Sequence, residues 1–581
     1  MTCDELTAAT AARSISGLAA ELAEVLLGHD PFAASFMSVS GYEDAVPDLS
    51  AQGLLAWRSR LVDIIVRCGH CEPDPADTDS RVLLGVVRDK AARALAVADS
   101  RVEEYSVTTF PLGGPSLMLL IAARTRLTDA AAAADYLTRC TRLAGYLDQV
   151  TAMLRDAARD GLLPVAPLVS DVIGQLSGYL ARPEQDPLLT RQPPRRWAGA
   201  AEWRAAVERV VRDSVHPAVG RYADLLVELL PRSRPPERAG LVHLPGGVAA
   251  YACWVRDGTT LPLDPDELHR IGLAAVAEIS DRIAELGGRV LGSRNTGEAM
   301  ARLRADVAAC AGGGMDPMDR AAAAIARAHE RQGEIFRAPL PPCAVEPMPA
   351  HMAESGAPPY YSPPARDGSR PGAYLFNTVH PGAAGSWATD ATAFHEGVPG
   401  HHVQFARLQA MPELPQLLTA FYVVPHGEGW GLYAEQLADE LGLYSDDFQR
   451  LGMLACAIWR AVRLVVDTGL HARGWSVERA RRYALAHSPM PADFVSAEID
   501  RYVAVPGQAL GYLVGQREIL RLRATARARL GAFFDIRDFH AAILDHGTLP
   551  LPVLGEVVSA WLDKPPVAHP DSYAAGAGQG A

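Results

Sequence analysis

The chain has 581 residues, 49% hydrophobic and 21% charged, with a formal net charge of −13. That balance fits a soluble globular enzyme and excludes nucleic acid as a general partner, because phosphate binding relies on a concentrated basic surface. No apolar run reaches the roughly 18 residues of a membrane span, and Asp4 and Glu5 stand where a secretory signal would be basic, so cytoplasmic residence is expected.

Apolar residues recurring at three- and four-residue spacing predict helices over 7–27, 80–105, 129–160, 202–230 and 266–286. Asp264-Pro265-Asp266-Glu267 is a helix start, with Asp264 as N-cap and Glu267 at the capping-box position. The eight cysteines are too scattered for a disulfide framework. Cys68 and Cys71 have C-x-x-C spacing, but they follow an amphipathic helical stretch and no second pair exists, so a redox or metal role is not expected. Basic clusters at 191–196 and 517–529 lack interleaved aromatics; the second reads as a solvated helix face.

Prolines crowd 339–371 and rule out regular helix there. They give way to Gly372-Ala373-Tyr374-Leu375-Phe376-Asn377-Thr378, which reads as a short strand. As an edge strand it would hydrogen-bond an extended peptide, with Asn377 as a side-chain contact or a turn former.

Next comes the octet His395-Glu396-Gly397-Val398-Pro399-Gly400-His401-His402. A zinc hydrolase helix usually carries H-E-x-x-H, whose two histidines share a face while the glutamate serves as general base. In this octet the second histidine comes later. Six positions along a helix rotate a side chain by roughly 120°, and seven return it to the same face about 10 Å higher. Neither sets two rings at about 2.0 to 2.1 Å from one zinc ion. Pro399 has no N–H for the His395 carbonyl, and Gly397 and Gly400 tolerate unusual backbone angles. A broken helix that folds His401 back toward His395 is therefore expected. His401 directly follows the Gly400 hinge and is the favoured ligand, leaving His402 as a neighbour or substrate contact.

A third ligand is expected from Pro425-His426-Gly427-Glu428-Gly429-Trp430-Gly431-Leu432-Tyr433-Ala434-Glu435, read as a loop entering a helix. On that helix Glu428 and Glu435 fall near one face, so Glu428 can bind metal while Glu435 orients a ligand histidine. Over 449–471 an apolar helix also carries Arg460, Arg463, Asp467 and His471. Buried charges must be paired, and an internal Arg–Asp ladder supporting the site is expected, with His471 as a structural histidine or a contact to the reacting water. Tyr502 and Tyr512 flank Pro506-Gly507-Gln508 and are candidates for stabilising an oxyanion through a protonated phenol. Arg501 is a candidate for a substrate carboxylate or for pairing with Glu498 or Asp500. His540 and His546 read as structural.

The words HEGVPGHH, EGWGLYAEQL, RYVAVPGQALGYLVG (501–515) and FHAAILDHGTLPL (539–551), with YLFNT and LDPDELHRIG upstream, resemble the bacterial family called domain of unknown function 885, placed in the clan of gluzincin-like metallopeptidases. The resemblance implies a mostly helical protein with a deep cleft, metal ligation by His395, His401 and Glu428, and Glu396 as general base. It also points to tyrosines C-terminal to the ligands, and it implies no substrate.

The expected architecture is mainly α, two-lobed and gluzincin-type, with a central cleft and a short sheet beside the metal helix. Its parts are an N-terminal helical lobe (1–235), a metal-site helical lobe (236–564) and a disordered Ala/Gly/Pro-rich tail (565–581). The expected reaction is amide hydrolysis in a short peptide or peptide-like small molecule, with one divalent metal, zinc by preference. Three rivals share the residues: a non-heme iron oxygenase using two histidines and a carboxylate, a biosynthetic tailoring enzyme, and a binding protein without catalysis.

Overall fold

The helical pattern is realised along most of the chain in a computed structural model that describes residues 3–110, 114–309, 316–354, 358–365, 370–379 and 385–565. Of the tail expected to be disordered, 566–581 lies outside the described residues. The helix expected at 266–286 runs Pro265–Val290, and Asp264 Oδ1 accepts from the amides of Asp266 at 2.9 Å and Glu267 at 3.0 Å. Such a cap contributes about 1 kcal/mol. Two expected helices are interrupted. The stretch 80–105 forms Thr78–Ser100 and Val102–Tyr105, with Arg101 in the left-handed region at φ 58° between them. The stretch 202–230 widens into a π turn at Val211–Val215 between Ala200–Val210 and His216–Leu229. Pro217 has no N–H for the Asp213 carbonyl, so the hydrogen-bond pattern shifts by one residue there.

One buried apolar cluster extends from Ile15 to Leu562 and takes in residues on both sides of Pro235. Near its centre lies helix Asp447–His471, where from Leu451 onward only Ala457 and Arg460 are not fully buried. A helix apolar on all sides belongs in a core. It packs against Thr389–Glu396 on one side and Pro265–Val290 on another. The second contact is so close that a Cβ on Gly272 would come within 2.8 Å of the Val465 side chain.

The sheet is small and mixed. β1 (Ala344–Pro347), β2 (Tyr360–Ser362) and β3 (Ala373–Phe376) lie in the order β1-β3-β2, with β1 parallel and β2 antiparallel to β3. The strand expected at an edge is therefore the central one, and its backbone is taken up on both sides. The edge nearest Glu396 is β2, whose Tyr361 amide donates to that carboxylate. Asn377 is a turn former: its Nδ2 donates to the Ala353 carbonyl at 3.1 Å and its Oδ1 accepts from the Val379 amide at 3.0 Å. Among the described residues no helix is long and apolar enough to cross a membrane. Cys68 and Cys71 are free thiols, the first buried in helix Ala51–Gly69.

Candidate metal centre

The octet breaks its helix. Helix Thr389–Glu396 closes with the Gly397 amide donating to the Ala393 carbonyl at 2.8 Å, and a second helix, His401–Gln409, starts after Gly400. Gly400 lies so close to the end of the first helix that a Cβ there would sit 1.9 Å from the His395 carbonyl oxygen. The fold-back brings the rings of His395 and His401 to 4.8 Å between centroids, nearly perpendicular at 87°. Trp430 Nε1 holds the break by donating to the Pro399 carbonyl at 2.9 Å.

Pro425 sits at the start of helix Val424–Glu440, so Gly427, Gly429 and Gly431 lie inside a helix where the sequence suggests a loop. Close neighbours explain them. A Cβ on Gly431 would fall 2.5 Å from His395 Cε1, one on Gly429 would fall 2.6 Å from Gly515 Cα, and one on Gly427 would fall 2.1 Å from Tyr422 Cζ. With those approaches open, Glu428 Oε2 lies 3.4 Å from His395 Nε2 and 3.7 Å from His401 Nε2. All three ligand atoms lie within 4.8 Å of one another. A tetrahedron of bonds about 2.0 to 2.1 Å long has edges of about 3.3 Å; the two separations from Glu428 are close to that edge, and the group could hold a divalent cation once its two imidazoles draw together.

The electrostatics agree with that fit. Burial opposes a charge on His395, yet hydrogen bonds to Glu428 and Glu435 and the charge of Glu396 raise its pKa to about 10. Burial also opposes a charge on His401, and Glu428 raises it. Glu428, which burial alone would push up, is held well below the carboxylate range by the two imidazoles. The centre is built around positive charge.

Each ligand ring is fixed through its other nitrogen. His395 Nδ1 lies 2.8 Å from Glu435 Oε1, which also accepts from Arg460 at 3.4 Å, and His401 Nδ1 lies 2.8 Å from Gln404 Oε1. With Nδ1–H donated to these oxygens, both Nε2 atoms are available to a cation. His402 differs. Its Nδ1 accepts from the Tyr361 hydroxyl at 3.0 Å and its Nε2 donates to the Pro341 carbonyl at 2.8 Å, so both nitrogens are engaged. Glu396 is half-buried, and its Oε2 accepts from the Tyr361 amide at 2.8 Å.

Several candidates are taken up by polar partners outside the His395, His401 and Glu428 group. The Tyr502 hydroxyl donates to Glu498 at 2.7 Å and accepts from Arg463 Nε at 3.0 Å. Arg501 grips Glu498 with Nε and Nη2, both at 2.8 Å, and donates to Gln508. Asp467 accepts from the Tyr251 hydroxyl at 2.6 Å and the Gly507 amide at 3.2 Å. Burial raises its pKa to about 7 against those hydrogen bonds. His471 accepts from the Leu241 amide at 3.3 Å and donates to the Tyr502 carbonyl at 2.9 Å. In place of the expected Arg–Asp ladder, the helix sends each charge to a different neighbour, because the facing segments carry better-placed partners. His540 is structural, bridging the Tyr433 hydroxyl and the Ile335 carbonyl, each at 2.8 Å.

Two phenols stand near the centre. Tyr512 is half-buried beneath the Arg463 guanidinium at 4.5 Å, and desolvation followed by the Glu428 carboxylate raises its pKa. Tyr422 is 37% exposed. It donates to Glu428 Oε1 at 3.4 Å, and its ring lies 6.3 Å from that of His401. Sequence reasoning does not reach Tyr422 or Tyr361. The first is signalled only indirectly, by the glycine at 427 that makes room for its ring; the second acts on Glu396 through its backbone, which no side-chain pattern reports. Gln404, one turn beyond His401 on the same helix, is open to spacing arguments.

The chain is similar to known proteins over nearly its whole length. The family described as "Bacterial protein of unknown function (DUF885)" matches residues 31–558. The crystal structure of "the putative lipoprotein from Colwellia psychrerythraea" is similar with a TM-score of 0.84 at 27% identity, over 95% of this chain and 99% of that one. A "putative lipoprotein of unknown function" from Shewanella oneidensis shares the fold with a TM-score of 0.74 at 13% identity, over 94% of this chain and 99% of that one. No curated protein matches the chain.

Proposed function

This chain belongs to the bacterial family DUF885, and we propose that it is a metal-dependent hydrolase acting on the amide bond of a short peptide or peptide-like small molecule. One observation carries the reading: a single carboxylate oxygen, Glu428 Oε2, lies 3.4 Å and 3.7 Å from the Nε2 atoms of two buried histidines, with Glu396 following the first in sequence. His395, His401 and Glu428 would hold one divalent ion, zinc by its donor set. When bound, such an ion supplies Lewis acidity toward a carbonyl and lowers the pKa of a water. Glu396, oriented by the Tyr361 amide, takes a proton from the attacking water and passes it to the leaving amine. Glu435 and Gln404 keep the ligand rings in position. The oxyanion donor is Tyr512, with Tyr422 beside it, because the Tyr502 hydroxyl is committed to Glu498. The small sheet beside Glu396 supports a gluzincin-type arrangement around the metal helix.

Glu396→Gln tests the reaction. It is expected to keep its metal and to lose more than about 10²-fold in turnover of short amides. A zinc-loaded chain that cleaves nothing in a library of short peptides and acylated amino acids contradicts the proposal. Location has its own test. Both similar structures bear the description "putative lipoprotein", which supports the cell envelope, whereas the sequence reading expects the cytoplasm; fractionation of native cells decides between them.

A further inference from the structure

Enzymes that take extended peptides commonly pair the substrate main chain with an exposed sheet edge, so the groups along that edge decide what docks. β2 is the edge strand nearest Glu396. Its register with β3, Tyr360↔Leu375, Tyr361↔Tyr374 and Ser362↔Ala373, fixes which groups face outward. The Tyr361 amide donates to Glu396 at 2.8 Å. Tyr361 is therefore a non-hydrogen-bonded position of the antiparallel pair, and the amides of Tyr360 and Ser362 turn toward β3. By the two-residue period of a strand, the next outward positions are 359 and 363. Both are prolines, Pro359 and Pro363, and neither has an N–H. The Pro363 carbonyl accepts from Arg370 at 2.6 Å, and the same guanidinium reaches Ser362 Oγ at 3.1 Å.

The outward donor of this edge is thus held by the general base, its flanking positions have none, and one flanking carbonyl is covered. Building on the hydrolase reading, we infer that β2 is closed to strand addition and that the substrate is a dipeptide-sized amide, with no main chain running along β2. Proline in an edge strand is a general means of refusing a pairing strand. At this edge the refused strand would lie against Glu396.

The test reads binding rather than turnover. The zinc-loaded full chain is titrated with metal-chelating ligands of growing length: peptide hydroxamates extended on the N-terminal side and mercaptoacyl peptides extended on the C-terminal side, each from a single residue to a tetrapeptide. Lengthening is expected to change Kd by less than about threefold in both series. Pro359→Ala/Pro363→Ala restores two outward amides and is expected to tighten the longest ligands by about tenfold while leaving the shortest unchanged. A wild-type chain that binds a tetrapeptide ligand more than about tenfold tighter than its single-residue parent overturns the inference and leaves the hydrolase reading standing. The wild-type series decides alone if the double variant does not fold. Failure of every chelator to bind overturns the metal centre, and the substrate inference with it.

Discussion

His395 and His471 are both buried histidines, one on helix Thr389–Glu396 and the other at the end of helix Asp447–His471, and their surroundings separate a reactive centre from a structural joint. The two nitrogens of His471 are taken by the Leu241 amide and the Tyr502 carbonyl, and burial lowers its pKa to about 4. His395 has one nitrogen on Glu435 and turns the other toward Glu428 and His401; against burial, its carboxylate neighbours raise its pKa to about 10. Burial is shared. What differs is whether the second nitrogen meets a backbone group that satisfies it or a carboxylate and a further imidazole, which together call for a cation.

Substitution of the two histidines breaks this comparison most sharply. His395→Ala is expected to weaken metal binding by more than about 10²-fold, measured by elemental analysis and chelator competition. His471→Ala is expected to keep the metal and lose stability in denaturant unfolding, because it leaves a buried amide and a buried carbonyl without partners, at about 1 to 3 kcal/mol each. Gly431→Ala comes next. Its Cβ would fall 2.5 Å from the His395 ring, so it should weaken the metal while His471 and its partners stay in place. Glu435→Gln is milder, about 10- to 100-fold in metal affinity.

The smallest effect is a pair of pH slopes in the metal-free protein. His395 has a folded pKa raised from 6.5 to about 10. Its contribution to stability is full below pH 6.5 and is lost as pH rises through about 10. His471 has a folded pKa lowered from 6.5 to about 4, so its contribution is present above pH 6.5 and is lost as pH falls through about 4. Urea unfolding across pH should show the alkaline limb shrink in His395→Ala and the acid limb shrink in His471→Ala.

Much of the site is legible in the sequence because short-range chemistry defines it. The Gly and Pro of the octet require the helix break, and the spacing of Glu428 and Glu435 puts both on the face that His395 meets. What the sequence does not reveal depends on contacts between distant segments. Glycines 427, 429 and 431 look like loop residues until the ring or backbone lying against each is known. The strand at 373–376 looks like an edge until β2 pairs on its far side. Arg463 and Asp467 have ladder spacing, yet Glu498 and Tyr251 on other helices take them. Tyr502 and Tyr512 look equivalent by sequence until Arg463, on another helix, is seen to join Tyr502 to Glu498 while Tyr512 feels the Glu428 carboxylate.

The central claim is that three side chains from two separated segments form one cation site, and elemental analysis of the purified wild-type, Glu396→Gln and Glu428→Ala chains, side by side, tests it most directly. The expected result is a single equivalent of a divalent metal in the first two and none in the third. Wild-type chain that takes up no metal from zinc-containing buffer, or Glu428→Ala that retains it in full, contradicts the account.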